Sequence, residues 1–284
     1  MDKLQGQVPI TFMSYYFNKS RSGFYAWKNR QNIYHLNKKQ IVLSKIETIF
    51  EDSFETYGSP RVTLELIEQG INISLNTVAK YMKELNLDAR LKKKFKVQTT
   101  DSNHILPIAP RLFKSEEELP EAPGEVLAGD ITYIKTPSGF MYLSVVMDLF
   151  NREIIGWSLD HDLSKDGVIK ALNLAIKKSS PDAQVIFHSD RGSQYASEAF
   201  RKLLKQKNIV PSMSRKGNCY DNCYVESFFK TLKSEWIYRH DIFDSKHLRS
   251  LIFEYIEAWY NTKRKHSSLD NLSPRMYKQK YLAS

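Results

Sequence analysis

The spacing of apolar residues divides the chain into a helical first part and a later part in which strands and helices alternate. Up to about residue 90, apolar residues recur every three to four positions, as they do on one face of a helix. From Gly124 onward, short apolar runs are separated by turn residues, a pattern typical of strands. With 284 residues, the chain is long enough for two such domains. The helices of the first part are predicted at residues 9–30 (two short helices, the second capped by Ser22), at 38–55, at about 60–69 and from near Ser74.

The helices after residue 38 have the order of a helix-turn-helix, whose last helix enters the major groove of DNA. Ser59 and Pro60 suit the cap and first position of the middle helix. In the last helix an apolar stripe is predicted to face inward, which leaves polar side chains for base edges and phosphates. Those outward side chains are Asn76, Thr77, Lys80 and Lys83. A small helical bundle with a solvated polar face would show the same pattern.

The later part predicts an α/β fold with a mixed five-stranded sheet. Three strands joined by short turns come first, followed by helix, strand, helix, strand and helix. This order of elements resembles the ribonuclease H-like fold. The predicted strands contain VLAGDITYI, GFMYLSVVMDLF, REIIGWSLD, AQVIFHSD and NIVPSM, and the predicted helices lie at about 164–178, at 196–207, around Glu226 and at 245–261.

Changes in composition suggest where the domains begin and end. A proline-containing stretch with the acidic run EEELPE separates the two patterns and reads as a linker. We therefore predict five segments: a short helical appendage at 1–34, a helix-turn-helix-like DNA-binding domain at 35–96, the linker at 97–123, a ribonuclease H-like catalytic core at 124–240 and a helical basic segment at 241–284.

Three acidic residues lie at positions that this fold would bring together. Asp130 follows the start of the first strand, Asp190 ends the fourth, and Glu226 lies in a helix after 35 intervening residues (191–225). Carboxylates suit Mg²⁺ or Mn²⁺, and two such ions can activate the attacking oxygen and stabilise the leaving oxygen in phosphoryl transfer. We predict that these acids are both catalytic residues and metal ligands.

Other readings remain open at this site. A single acid is usually a surface charge, although acids beside apolar runs are partly buried and costly unless a cation compensates them. Asp148 could lie near Asp130 and is predicted to be structural or supporting. His188 is predicted to be a buried histidine with satisfied hydrogen bonds, and Asp221 to cap the helix of Glu226.

The net charge of +10 and a sequence pI of about 9.3 favour a polyanionic partner such as DNA. Basic side chains near the acids and beyond the helical part could contact phosphates. For each of them, an ion pair or a solvated surface is the alternative. Besides Asn76, Thr77 and Lys80, the predicted DNA contacts are Lys92, Lys93, Lys94, Arg215, Lys216, Lys230, Lys233, Arg264, Lys265 and His266.

Two other classes of protein are disfavoured. Cys219 and Cys223 have no further Cys or His pair at zinc-ligand spacing, so they are predicted to be reduced thiols. No apolar run approaches the ~18 residues of a membrane span, and the N-terminus lacks an apolar signal segment. We therefore expect a cytoplasmic protein.

Several long motifs are similar to the second-frame (OrfB) product of bacterial transposases of the insertion sequence three family. They cover nearly the whole chain from about residue 20. Leu127, where tryptophan is expected, and Cys223, where alanine is usual, depart from the pattern without touching the acids. The motifs are SRSGFYAW, YGSPRV, NTVAKYM, GDITYI, YLSVVMDLFNREIIGWS, HSDRGSQYAS, SMSRKGNCYDNCYVESFFKTLK and YNTKRKHSSLDNLSP.

The resemblance implies a metal-dependent DDE transposase that nicks a strand at the element's end and transfers the freed 3′-hydroxyl to another strand. It assigns Asp130, Asp190 and Glu226 as catalytic acids and Lys233 as the basic residue seven beyond the glutamate. It also implies a homo-oligomer in a DNA synapse and an upstream first-frame (OrfA) partner or fusion. A regulatory DNA-binding protein without catalysis and a purely hydrolytic ribonuclease H-like nuclease are the alternatives.

Overall fold

The computed structural model describes residues 1–89, 106–114, 119–178, 184–215 and 222–283, without the side chains of 31–37. The chain divides into two compact units, residues 1–90 and 91–284. No helix among the described residues is both long and apolar enough to cross a membrane.

The first unit is built from helices. Its core is formed by fully buried side chains that include Ile46, Val62, Leu66 and Val78. Lys39 pairs with Glu84 at 2.6 Å and so links two of the helices at the surface. After a 3₁₀ turn at Asp2–Leu4, the helices are α1 (Ile10–Tyr16), α2 (Arg21–Asp52), α3 (Ser59–Glu68) and α4 (Leu75–Glu84).

The prediction of separate helices at the end of 9–30 and at 38–55 was wrong, because α2 runs through both without a break. The residues between the two apolar patterns contain no glycine or proline, so nothing interrupts the helix even where the apolar stripe lapses. The helix begins two residues earlier than predicted. Ser20, not Ser22, is its N-cap, and the Ser20 side chain accepts a hydrogen bond from the Gly23 amide at 2.9 Å.

The predicted start is correct for α4 and is displaced by one residue for α3. Helix α4 begins near Ser74 as predicted, and Ser74 is its N-cap, since its hydroxyl accepts a hydrogen bond from the Thr77 amide at 3.2 Å. In α3, Gly58 rather than Ser59 is the N-cap, and Ser59 is already helical. Pro60 lies in the first turn, where its missing amide proton costs no hydrogen bond.

The second unit contains the predicted mixed sheet, in the order β3-β2-β1-β4-β5. The first three strands pair antiparallel, whereas β1 with β4 and β4 with β5 pair parallel. This order and direction are those of the ribonuclease H-like fold. The strands are β1 (Val126–Thr136), β2 (Gly139–Asp148), β3 (Ile154–Asp160), β4 (Val185–Ser189) and β5 (Ile209–Met213).

Helices cover the sheet, and one of them approaches it very closely. A methyl group at Gly156 of β3 would lie 2.1 Å from the Ala171 carbonyl oxygen and 2.8 Å from the Ala175 amide nitrogen. Only glycine on the strand and small residues on the helix allow this distance. The helices are α5 (Lys165–Lys178), α6 (Ser193–Ala196), α7 (Glu198–Gln206) and α8 (Cys223–Glu235). The single helix predicted at 196–207 is thus two, separated at Ser197.

The C-terminal segment is fastened to the sheet. The helix predicted at 245–261 consists of α9 (Ser245–Phe253) and a π-helical continuation at Glu254–Tyr260. The side chain of Asn261 donates to the Ile154 carbonyl and accepts from its amide, at 3.0 and 2.9 Å. A further helix, α10 (Pro274–Leu282), was not predicted.

Candidate active site

Strand register places Asp130 beside Asp190. In the parallel pair of β1 and β4, Gly129 lies opposite Ser189, so the two aspartates occupy the next level of the ladder. Adjacent strands are about 4.8 Å apart, which brings the two carboxylates to the same place. The prediction that two distant acids meet at the sheet thus follows from backbone geometry.

Backbone amides orient both aspartate side chains. The Ile131 amide donates to Asp130 Oδ1 at 2.8 Å, and the Gly192 amide donates to Asp190 Oδ1 at 2.9 Å. Gly129, directly before Asp130, must be glycine, since a Cβ there would lie 2.5 Å from the Phe187 ring. The motifs GDITYI and HSDRG therefore encode the turn and the close packing that hold the acids.

Helix α8 brings the third acid to this edge of the sheet. Glu226 lies in its first turn, where the amide groups of a helix favour negative charge, and its side chain is exposed. Before α8, the Asn222 side chain donates to the Gly129 carbonyl at 3.2 Å, one residue from Asp130. The opposite face of the helix is buried as predicted, through Val225, Phe228, Phe229 and Leu232.

The electrostatics show that three acids and one lysine share this site. Burial raises the pKa of Asp130 well above its ordinary value, and the charges of Asp190 and Glu226 raise it further. The Ile131 amide and the Lys233 ammonium act in the opposite direction. Because like charges disfavour one another, the site in this form is electrostatically strained and would gain from a cation.

Lys233 lies between the site and an aromatic ring. Its Nζ is 4.6 Å from the centroid of the Tyr133 ring, a cation–π contact. Burial lowers the pKa of Lys233, while the charge of Asp130 acts to raise it. Lys230, one turn earlier, is exposed. The lysine that was predicted to hold DNA thus also neutralises part of the charge of Asp130.

A small pocket opens beside the two aspartates, and Tyr195 lies at its base. The Tyr195 side chain is buried and packs against the rings of Phe187 and Phe200. Sequence reasoning missed this residue, because a tyrosine five positions after Asp190 carries no periodic signal. The pocket is lined by Asp130, Ile131, Thr132, Tyr133, Tyr142, Leu163, Asp190, Gln194 and Tyr195.

The donor set suits a hard divalent cation. The three acids offer only oxygen ligands, and the raised pKa of Asp130 reflects buried negative charge that a cation would compensate. The geometry is not that of a closed metal site, since no three His, Cys, Asp or Glu of the described chain are placed to hold an ion together. The residues therefore fit a divalent cation by the chemistry of their oxygen ligands, and Glu226 is the most exposed of the three acids.

Two further residues of the sheet, Asp148 and His188, are buried as expected. Asp148 is buried and accepts hydrogen bonds from the amides of Gly124 and Phe150, at 2.9 and 3.1 Å. Burial raises the pKa of Asp148 to about 6. His188 is also fully buried, with Nδ1 2.9 Å from Ser212 Oγ. The cap predicted at Asp221 lies outside the described residues.

The predicted DNA surface at 264–266 is corrected by the structure. Arg264 is buried and forms a two-pronged pair with Glu235, at 2.8 Å from Nε and 2.7 Å from the terminal nitrogen. The Tyr255 hydroxyl donates to the same carboxylate at 3.1 Å. Lys265 is buried too, and half-buried His266 packs edge-on against Tyr260. The buried carboxylate of Glu235, at the end of α8, is costly without a positive partner, and Arg264 is that partner.

The remaining predicted DNA contacts differ in exposure. On α4, Asn76, Lys80 and Lys83 are exposed, whereas Thr77 is half-buried and its hydroxyl lies 2.9 Å from the capping Ser74 hydroxyl. Arg215 after β5 is exposed. Lys92, Lys93, Lys94 and Lys216 lie outside the described residues.

Family models match both units. An HTH-like domain matches residues 37–95. Two models described as integrase core domain match residues 120–219 and 207–274. The first of these spans Asp130 and Asp190, and the second spans Glu226.

Relatives match along almost the full chain. The insertion element IS600 uncharacterized 31 kDa protein of Shigella sonnei is 39% identical, over 93% of this chain and 97% of its own length. Transposase InsF for insertion sequence IS3A of Escherichia coli strain K12 is 36% identical, over 100% of this chain and 98% of its own length.

Solved structures with a similar chain include a simian T-cell lymphotropic virus intasome bound to a PP2A regulatory subunit. It is 17% identical, with a TM-score of 0.49, over 80% of this chain and 72% of the other. The HTLV-2 integrase catalytic core domain in complex with magnesium is 15% identical, with a TM-score of 0.44, over 56% and 98%.

Proposed function

Because the chain belongs to the insertion sequence IS3 family of bacterial transposases, we propose that it cuts and joins DNA strands at the ends of such an element through Asp130, Asp190 and Glu226. The transposase assignment rests on relatives matched over nearly the whole chain. The residue roles rest on the register that sets the two aspartates side by side and on the charges that meet around Asp130.

The three acids are proposed to hold Mg²⁺ or Mn²⁺, two ions in a complete site. Such ions supply charge for an in-line phosphoryl displacement by activating the attacking oxygen and stabilising the leaving one. The protein holds Asp130 and Asp190 through the amides of Ile131 and Gly192. Glu226 approaches from α8, whose position beside β1 depends on the Asn222 side chain and on a buried apolar face.

Lys233 is proposed to orient a DNA phosphate at the same site. Its stem is half-buried, its ammonium faces Tyr133, and the charge of Asp130 reaches it. An ammonium fixed in this way offers a hydrogen-bond donor to an incoming phosphate at little cost in side-chain entropy. Lys230 and Arg215, both exposed, are proposed to extend this phosphate-binding surface.

The first unit is proposed to recognise the DNA of the element's ends. A transposase with an HTH-like domain binds DNA, and the exposed Asn76 and Lys80 of α4 are the side chains suited to base edges and phosphates. Thr77 is proposed to act mainly through the helix cap. Assembly of several copies on DNA, with an upstream first-frame partner, belongs to this proposal.

The decisive experiment uses labelled element ends and measures strand cleavage, strand joining and DNA binding separately. Asp190→Asn is expected to abolish cleavage and joining with Mg²⁺ or Mn²⁺, with DNA binding retained. Asp241→Asn, which changes an exposed aspartate of the same unit, is the matched control and should behave like the wild type. The assay is run with and without the upstream partner.

Each failure of this experiment has a distinct meaning. Cleavage without joining in the wild type would indicate a hydrolytic nuclease. Binding without either reaction, with or without the partner, would indicate a regulatory DNA-binding protein. Equal loss of binding and chemistry in Asp190→Asn would contradict the catalytic role of that residue.

A further inference from the structure

A buried hydroxyl beside the acids has no described hydrogen-bond partner. The side chain of Tyr195 is only 3% exposed, and its hydroxyl forms no hydrogen bond with any described residue. A buried hydroxyl without an acceptor is costly, and native proteins rarely retain one without a reason. Phenylalanine would preserve the ring and avoid the cost, so the hydroxyl itself requires an explanation.

The ring of Tyr195 is fixed by its neighbours and cannot easily turn to find an acceptor elsewhere. It packs tilted against Phe187, at 6.0 Å between centroids, and edge-on against Phe200, at 5.4 Å. Its other side approaches Gly129, where an added Cβ would lie 3.3 Å from the ring. The hydroxyl therefore keeps its place in the structure.

That place is beside the carboxylates of Asp130 and Asp190. All three residues line the same pocket, and the charges of both aspartates raise the pKa of Tyr195, after the larger effect of burial. The two carboxylates are thus hydrogen-bond acceptors that line the same pocket as the hydroxyl. Backbone amides donate to Asp130 Oδ1 and to Asp190 Oδ1.

We propose that Tyr195 is a positioning residue for the metal site: its hydroxyl donates a hydrogen bond to the Asp130–Asp190 carboxylate pair when that pair holds a divalent cation. The hydrogen bond fixes which carboxylate oxygens face the ion. Carboxylates that bind metals are generally held by such outer partners, whose loss weakens metal binding about 10–100-fold. This inference rests on the metal site of the proposed function.

The test is Mn²⁺ binding to the full chain without DNA, measured from the electron paramagnetic resonance signal of free Mn²⁺. Tyr195→Phe is expected to weaken Mn²⁺ binding about 10–100-fold without lowering the thermal unfolding midpoint of the metal-free protein.

Tyr255→Phe is the matched control, because it removes a buried tyrosine hydroxyl that already has an acceptor in Glu235. It should lower the unfolding midpoint and leave Mn²⁺ binding unchanged. Tyr195 and Tyr255 should thus show opposite patterns.

Three results would overturn the proposal. Mn²⁺ binding by Tyr195→Phe that equals the wild type would refute the role of the hydroxyl while leaving the metal site intact. Weaker binding accompanied by a loss of stability like that of Tyr255→Phe would indicate a structural residue only. A wild type that binds no Mn²⁺ would refute the metal site and this inference together.

Discussion

The buried pair of Arg264 and Glu235 allows a sharp test of whether the C-terminal basic cluster stabilises the fold or contacts DNA. Arg264→Met keeps the volume of the side chain but leaves the Glu235 carboxylate buried, with the Tyr255 hydroxyl as a remaining donor. The side chains are 8% and 3% exposed, so solvent cannot replace the lost partner. Breaking such a pair typically costs about 3–5 kcal/mol.

Urea unfolding at neutral pH measures this loss, which would be a large fraction of the ~5–15 kcal/mol that stabilises most domains. The double variant Arg264→Met with Glu235→Met removes both charges and should recover most of the stability, since an apolar pair of similar volume is often neutral or better. DNA binding by the double variant should match that of the wild type.

Two outcomes would refute this reasoning. A loss of less than about 1 kcal/mol in Arg264→Met is what an exposed ion pair would give, and it would contradict the burial. If the double variant were stable but bound DNA less well, Arg264 would be a DNA contact, as the sequence predicted.

Three further predictions follow from the second unit. The pKa of Asp148 is raised from 3.8 to about 6, so the folded protein favours the protonated carboxyl. The resulting contribution to the free energy of unfolding is complete below pH 3.8 and is lost as the pH rises through 6. Wild-type stability relative to Asp148→Asn should therefore fall by about 2 kcal/mol between pH 4 and 7 in urea unfolding, and parallel curves would contradict the burial effect. Gly156→Ala should cost about 1–3 kcal/mol or more, since its Cβ would lie 2.1 Å from a backbone oxygen; an unchanged unfolding midpoint would show that the helix can move away. Lys233→Gln should weaken engagement of the DNA end and reduce strand transfer with the fold preserved, whereas Lys135→Gln, at an exposed lysine of β1, should not; equal transfer by both variants would make Lys233 an ordinary surface residue.

The sheet and the two aspartates were predictable because they depend on local signals. Short apolar runs bounded by turns identify strands. Asp190 directly follows such a run, and Asp130 lies within β1 at the same level. The order of elements then fixes which strands adjoin, so the meeting of Asp130 and Asp190 required no long-range information beyond the fold. The buried face of α8 followed from helical periodicity in the same way.

The errors concern features that only tertiary structure decides. Nothing in the local sequence KRKH indicates that one of its basic residues is buried. Arg264 nevertheless forms a buried ion pair with Glu235, 29 positions earlier in the chain. The continuity of α2 was missed because residues 31–37 were assigned to neither of the two apolar patterns, although they contain no glycine or proline that would end a helix. Helix α10 was missed, although Ser273 and Pro274 form an ordinary helix start, because its apolar pattern is weak.

The pairing of β1 with β4 also limits where residues can be inserted or deleted in this chain during evolution. Side chains alternate between the faces of a strand, so one residue inserted within Val185–Ser189 would turn Asp190 away from Asp130. The same insertion in the connection from α5 to β4 leaves the ladder, and hence the aspartate pair, in register. Gains and losses of residues in the lineage should therefore collect in the connections, and the number of residues between the two aspartates should vary among functional descendants while each strand keeps its length.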